Sequence, residues 1–251
     1  MYLKISTTLL IAVVFQAFFV KAVAAQSNHK SRKISRIPLT SLEGKVLLQE
    51  CEIHDYVELS MFFECQANTS FCGPASIAMV LNSLGIARPE SSRHPGYSLF
   101  DQENVFALPG DPPKSKKAVR LTGMSLETLS SHFQYAGAQV EQIFASESNK
   151  DEFRTTIAQA CNSQASFVVV NYSRSEDGQD GGGHISPVAA FHKESDQVLI
   201  LDVSKYKYPP CWIKTSDLFR AISTLDREQS RGFVIVSANA QKADNEKVGK
   251  Q

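Results

Sequence analysis

Cys72 stands directly before Gly73-Pro74 and the apolar run ASIAMVLNSL, which closes at Gly85. A cysteine that opens a buried helix has unpaired N–H groups and the positive end of the helix dipole beneath its sulfur, a placement that lowers a thiol pKa and makes a nucleophile. A lone Cys is more often a small hydrophobe in a core, so its neighbours decide. Gln66 lies six residues upstream, close enough for a loop to fold its amide back to the helix start. That amide and the Cys72 N–H would make an oxyanion hole. His184 follows Gly181-Gly182-Gly183 and opens a β-branched run, and Asp202 lies eighteen residues later at the end of the next such run. A hairpin around 193–197 would bring acid and imidazole together, so that the acid fixes the tautomer and stabilises the imidazolium. Jointly, these residues make a cysteine-nucleophile constellation in papain-like chain order, although the papain string C-G-S/A-C-W/Y is absent.

The elements that must position these residues show in the pattern. CGPASIAMVLNSL (72–84) has no polar stripe and reads as a buried helix with candidate N-caps at Asn68-Thr69-Ser70 and a Gly stop. A second helix is expected from Ser125 to Gly137 and a third from Lys150 to Cys161, with acids in its first turn. Then the texture changes to short β-branched runs at 167–172, 185–192, 197–203 and 232–237. Helices followed by an antiparallel sheet make an α+β fold, with the nucleophile on a helical N-terminal half and the sheet in the C-terminal half. The Pro-, Gly- and Lys-rich stretch 89–120 reads as a long surface excursion beside the site.

Composition narrows the function classes. The chain has 251 residues with 26 Lys+Arg against 26 Asp+Glu, so no global field attracts nucleic acid, and none is expected as a partner. Five cysteines are too sparse for a disulfide-built miniprotein, and there is no CxxC pair. Residues 9–20 form an apolar run after Lys4, and Val23-Ala24-Ala25 offers small residues for signal peptidase. This reads as an export signal cut after Ala25, placing the protein in a bacterial periplasm without stable membrane association; the run is short for a spanning helix. Residues 26–36 read as a linker, 37–240 as the catalytic domain and 241–251 as a solvated tail.

SFCGPASIAMVLNSLG, GGGHISPVAAFH, LILDVSKYKYPPCW and SRGFVIVS, four motifs in order, resemble the phytochelatin synthase family (glutathione γ-glutamylcysteinyltransferases) in its short bacterial form, from about residue 60 to residue 237. The resemblance implies a papain-like cysteine peptidase fold with catalytic Cys72, His184 and Asp202, Gln66 aiding the oxyanion, and Arg231, Asp226 and Gly183 at the substrate. Asp226 matches less closely than Arg231, because the segment between them is shorter here. The implied reaction cleaves the Cys-Gly bond of glutathione through a γ-glutamylcysteinyl thioester. The acyl group then passes to water, or to a second glutathione or phytochelatin. Plant members carry a Cys-rich C-terminal extension, whereas this chain stops fourteen residues after Ser237, so hydrolysis is expected to dominate over synthesis.

No intrinsic cofactor is implied; cadmium or zinc enters as a thiolate complex of the substrate. Cys51, Cys65, Cys161 and Cys211, with His54, do not show the paired spacing of a structural zinc site, and in an oxidising compartment these four cysteines could instead form one or two disulfides. A homodimer is left open. Two rivals remain: a cysteine peptidase of the double-glycine leader type, and a non-catalytic exported module that binds thiols or metals.

Overall fold

Nine strands lie among the residues that a computed structural model of the chain describes, which are 34–51, 55–91, 93–163 and 165–239. They are Arg36–Pro38 (β1), Gln139–Phe144 (β2), Ser166–Ser173 (β3), Gly183–His192 (β4), Gln197–Ile200 (β5), Cys211–Lys214 (β6), Leu225–Asp226 (β7), Gln229–Ser230 (β8) and Gly232–Ser237 (β9). Seven of them form one sheet in the order β1-β6-β5-β4-β3-β9-β2, every pair antiparallel, and β7 with β8 makes a separate hairpin. The expected leader, the tail 241–251 and His54 lie outside the described residues.

Helices cover both faces of the sheet. Leu42–Glu50 (α1), Tyr56–Met61 (α2), Cys72–Ser83 (α3), Lys116–Thr122 (α4) and Leu126–Tyr135 (α5) lie on one side, while Lys150–Ser163 (α6) and Thr215–Ile222 (α7) lie on the other. Strand β3 feeds both cores alternately: Phe167 and Val169 face α3, and Val168 and Val170 face α6 and α7. A strand buried on both faces shows a continuous apolar run instead of alternation, which is why FVVVNY reads as it does. The architecture is α+β, as expected.

Helix α3 is the centre of the larger core, with eleven of its twelve residues buried. Pro74 is tolerated because it falls in the first turn, where an N–H has no intrahelical acceptor. Ser76 Oγ donates to Cys72 O at 2.8 Å and approaches Ile185 O at 3.3 Å, stapling the start of α3 to β4. Gly85 ends the helix at φ +65°, in the left-handed region that Gly enters without strain.

Four expectations are corrected. Asn68, Thr69 and Ser70 do not cap α3: Phe71 holds the N-cap position without a side-chain bond, and Asn68 instead closes a turn by accepting from Ser70 N at 3.0 Å. The first-turn N–H groups are thereby left open beside the sulfur. The stretch 89–120 is not a mere excursion. Phe100, Val105 and Phe106 are buried in the core around α3, and Asn82 ties Phe100 down through its backbone N–H and C=O at 3.0 and 2.9 Å. Finally, the cysteines do not pair; all five are free thiols. Arg36, assigned to the linker, opens β1 opposite Ile213.

Candidate active site

Cys72 and His184 meet because α3 packs its N-terminus against the start of β4. Cys72 is buried at the first helical position. His184, also buried, lies directly opposite Tyr172 in the β3–β4 ladder, with the two rings edge to face at 5.5 Å. His184 Nε2 lies 2.9 Å from Asp202 Oδ1 and 3.0 Å from Ser186 Oγ. The hydrogen bond to the Cys72 thiol is therefore left to the other ring nitrogen, Nδ1.

Asp202 arrives by a route slightly different from the one expected. Strand β5 ends at Ile200, two residues before it. The chain stays beside β4 through Leu201 N to Pro187 O at 3.0 Å and Val203 N to Ser186 Oγ at 3.3 Å, and a bulge between Val188 and Ala190 shifts the register. Outside the regular ladder the Asp202 carboxylate can turn towards the histidine. Arg174 grips it with Nη1 on Oδ2 at 2.8 Å and Nη2 on Oδ1 at 2.9 Å, and Ser204 N donates to Oδ1 at 2.9 Å. Both oxygens of this buried carboxylate are thereby paired, Oδ1 with Arg174, Ser204 and His184 and Oδ2 with Arg174, the condition under which a buried charge persists.

The electrostatics follow from those contacts. Burial pushes the Cys72 thiol up, but the hydrogen bond and charge of His184, with the N–H groups of Ile185 and Gly73, outweigh it, so the thiol lies below its ordinary value. For His184 burial acts downward, yet the bonds to Asp202 and Cys72 carry the imidazole above its ordinary value. Asp202 is disfavoured by burial but held well below the carboxylate range by His184 and Arg174. Thiolate and imidazolium therefore favour one another, the state of an activated cysteine.

A cavity of about 280 Å³ opens over Cys72 and His184, lined also by Asn171, Gly183, Asp226 and Arg231. Arg231 enters β9 and lays its guanidinium across Gly183, where a Cβ would come 2.4 Å from Nη1. A larger residue there would have to push the guanidinium aside. Arg231 Nη1 donates to Asn171 Oδ1 at 2.8 Å and Asp226 Oδ2 at 3.3 Å. Arg231 Nε and Asn171 Nδ2 are buried with no hydrogen-bond partner. Two unsatisfied donors in a cavity beside the Cys72 thiol are matched by a ligand that brings oxygens.

Gln66 is brought near the acid but is not among the residues lining the cavity. It is buried, its N–H donates to Val203 O at 2.9 Å, and its Nε2 donates to Asn68 O at 2.6 Å and Tyr206 Oη at 3.2 Å. Arg174, Ser186, Tyr172 and Asn171 were not anticipated. For Arg174 a signal existed: it stands at i+2 from Tyr172, so strand periodicity puts both on one face, just beyond a run that must lie next to the His184 strand.

The chain matches the family model described as phytochelatin synthase over residues 30–233. It is 31% identical over 207 residues to glutathione gamma-glutamylcysteinyltransferase 3 of Lotus japonicus, covering 80% of this chain and 42% of that one. Glutathione gamma-glutamylcysteinyltransferase 1 of Arabidopsis thaliana is 30% identical, over 80% of this chain and 41% of its own. The Schizosaccharomyces pombe glutathione gamma-glutamylcysteinyltransferase is 27% identical over 191 residues, 75% of this chain and 45% of that one. The chain thus spans less than half the length of these curated relatives. Among solved structures it is similar to the peptidase domain of Streptococcus ComA, a bifunctional ABC transporter involved in quorum sensing, at 14% identity and TM-score 0.44, covering 70% of this chain and 97% of that one.

Proposed function

The chain belongs to the phytochelatin synthase family, and on that premise we propose that it cleaves the Cys-Gly bond of glutathione through a thioester on Cys72. The observation that carries this reading is the hydrogen-bonded line Cys72–His184–Asp202 at the floor of a cavity whose other wall is Arg231 and Asp226.

In the proposed sequence Cys72 Sγ attacks the cysteinyl carbonyl of glutathione and forms the C–S bond. The Cys72 N–H, at a helix start without an intrahelical acceptor, faces the developing oxyanion. Gln66 is the second donor that the family resemblance supplies, and to act so its amide must exchange Asn68 O or Tyr206 for the substrate. His184 then gives its proton to the glycine nitrogen as the C–N bond breaks, and glycine leaves. In the second half His184 takes a proton from water, the hydroxide oxygen attacks the thioester, and γ-Glu-Cys departs with Cys72 restored. A second glutathione or a phytochelatin amine entering in place of water would give phytochelatin. Asp202 keeps the imidazole oriented and its charge stabilised throughout. Asp226 offers a carboxylate to the γ-glutamyl ammonium, and Arg231 Nε with Asn171 Nδ2 offers donors to substrate oxygens.

Cadmium or zinc, in this reading, arrives as the thiolate complex of the substrate. Among the described residues no group of three or more His, Cys, Asp or Glu side chains is placed to hold a metal, and no helix is long and apolar enough to cross a membrane. Export rests on the leader pattern at residues 1–25 alone.

The test is to incubate the protein, with Cys72→Ser beside it, with glutathione in the presence and absence of cadmium, and to follow products by mass spectrometry. Glycine and γ-Glu-Cys, abolished by the substitution, support a hydrolase, and phytochelatin oligomers that rise with cadmium support synthesis as well. Intact glutathione in every arm overturns the reading.

A further inference from the structure

Asp202 stands on a second layer of buried charge that the proposed reaction does not use. Tyr172 faces His184 across β3 and β4, and Cys211 in β6 faces both Ile200 of β5 and Pro38 of β1. Side chains two residues apart in a strand share a face, so Arg36, two residues before Pro38, comes to lie on the Cys211 side of β1. Its Nη1 donates to Cys211 Sγ at 3.2 Å. The rest of its fork is taken by Asp177: Nε and Nη2 donate to Asp177 O at 3.2 and 2.8 Å, and Nη2 is paired with Asp177 Oδ2. Burial pushes the Cys211 thiol and the Tyr172 phenol up, and the charges of Arg36 and Arg174 both oppose it at each group. The two guanidiniums therefore stand around the same pair of side chains.

Asp177 is the member of this cluster without a full set of partners. Its side chain is 1% exposed and, among the described residues, its Oδ1 has no hydrogen-bond partner. It belongs to the same turn as Arg174: Asp177 N donates to Arg174 O at 3.1 Å, Gln179 N donates to the same oxygen at 2.8 Å, and Arg174 Nη1 donates to Gln179 Oε1. A buried carboxylate needs a counter-charge or a proton. Two cations and two anions thus share one buried cluster, and the cation that Asp177 takes decides which one is left for Asp202.

We propose that Arg36 is a positioning residue for the acid of the site: by holding Asp177, it keeps that carboxylate from drawing Arg174 off Asp202. The proposal rests on the reading that Cys72, His184 and Asp202 carry the reaction, and extends the site to β1, whose first residue the sequence pattern assigns to a linker. Without Arg36, Arg174 is divided between two carboxylates. Asp202 then loses its two parallel hydrogen bonds, and the Cys72 thiolate loses the cation that favours it.

The test uses Arg36→Met and the double variant Arg36→Met/Asp177→Asn. It measures steady-state glycine release from glutathione and, independently of turnover, the pH dependence of Cys72 alkylation by iodoacetamide, read by peptide mass spectrometry. Arg36→Met is expected to lower kcat by roughly three- to tenfold with KM little changed, and to move the alkylation profile to higher pH. Adding Asp177→Asn is expected to return both towards wild type, because the competing carboxylate is gone. An ion pair that only holds β1 in place would leave the profile of folded Arg36→Met unmoved, and a double variant no better than Arg36→Met would show that Asp177 is not the competitor. Either result overturns the proposal. If Arg36→Met does not fold, as loss of one partner of a buried pair allows, Arg36→Gln takes its place, keeping a donor for Asp177 O and losing the charge, with the same expected shift and the same overturning results. If no variant cleaves glutathione, the reaction reading fails by itself, and the alkylation profiles still decide the role of Arg36.

Discussion

Arg174 holds the Asp202 carboxylate through two parallel hydrogen bonds of 2.8 and 2.9 Å, and the oxygen it shares with His184 lies 2.9 Å from that ring. The acid of the site is thus itself positioned by a buried base, in the fork geometry that fixes direction as well as charge. Arg174 is a positioning residue: it acts on Cys72 through Asp202 and His184, and its charge also favours the thiolate. Arg174→Lys keeps a charge but loses the fork, and is expected to lower kcat by about tenfold or more with KM little changed. Arg174→Gln should in addition move the acid limb of the pH profile upward, because the thiolate loses a nearby cation. Steady-state glycine release across pH checks both; an unmoved limb contradicts the assignment.

The reactive pair makes the pH dependence specific. The proposed reaction requires Cys72 as thiolate and His184 as imidazolium. The thiol lies below its ordinary 9.0, so thiolate is lost only as pH falls through that lowered value. The imidazole lies above its ordinary 6.5, so its proton is lost as pH rises through that raised value. The profile of kcat/KM is therefore expected to be a bell whose limbs belong to the coupled pair. Asp202→Asn, removing the strongest influence that raises His184, should pull the alkaline limb down and narrow the bell. A profile unchanged by Asp202→Asn would contradict the arrangement.

At Gly183 the constraint is steric. A Cβ there would come 2.4 Å from Arg231 Nη1, so Gly183→Ala must displace the guanidinium that reaches Asn171 and Asp226. KM for glutathione is expected to rise by about tenfold, with a smaller change in kcat, because an interaction that serves binding is lost while the nucleophile is untouched. Titrating initial rates against glutathione decides it.

A second titration concerns stability. Asp55, buried at the start of α2 with Oδ2 unpartnered, is raised from 3.8 to about 8 by burial and then by the charge of Glu58. The native state keeps this proton up to about pH 8, whereas the unfolded chain releases it near the ordinary value of 3.8. Stability relative to an uncharged residue is therefore greatest at low pH and falls as pH rises through that window. Melting temperatures of the wild type and Asp55→Asn should diverge between pH 5 and about pH 8, the wild type declining more. Parallel curves would show that the carboxyl is not held neutral.

Much of the site was legible because its members sit where elements begin or end. Cys72 before an unbroken apolar run, His184 after three glycines, and β-branched runs at 167–172 and 232–237 each follow from local pattern, and α3, β3, β4 and β9 form there. What escaped notice was set by tertiary contact. Arg174 follows a strand as one more polar residue, and only the fold puts Asp202 against it. Strand β1 has three residues ending in Pro38, too short and too poorly suited to carry a strand signal, and it exists because β6 offers an edge. The apolar residues of 89–120 were masked by neighbouring Pro, Gly and Lys, yet Phe100 and Phe106 reach the core. Gln66 shows the reverse: its position before the nucleophile was readable, but the partners of its amide, Asn68 and Tyr206, were not.

The central claim is that Cys72 carries the γ-glutamylcysteinyl group as a thioester, and the most direct measurement is intact-protein mass spectrometry after rapid acid quench of a reaction with glutathione. The account predicts a transient adduct equal to glutathione less glycine, formed with a matching burst of free glycine, mapped by digestion to the peptide holding Cys72 and absent in Cys72→Ser. An adduct of whole glutathione, or glycine release with Cys72 replaced, would contradict it.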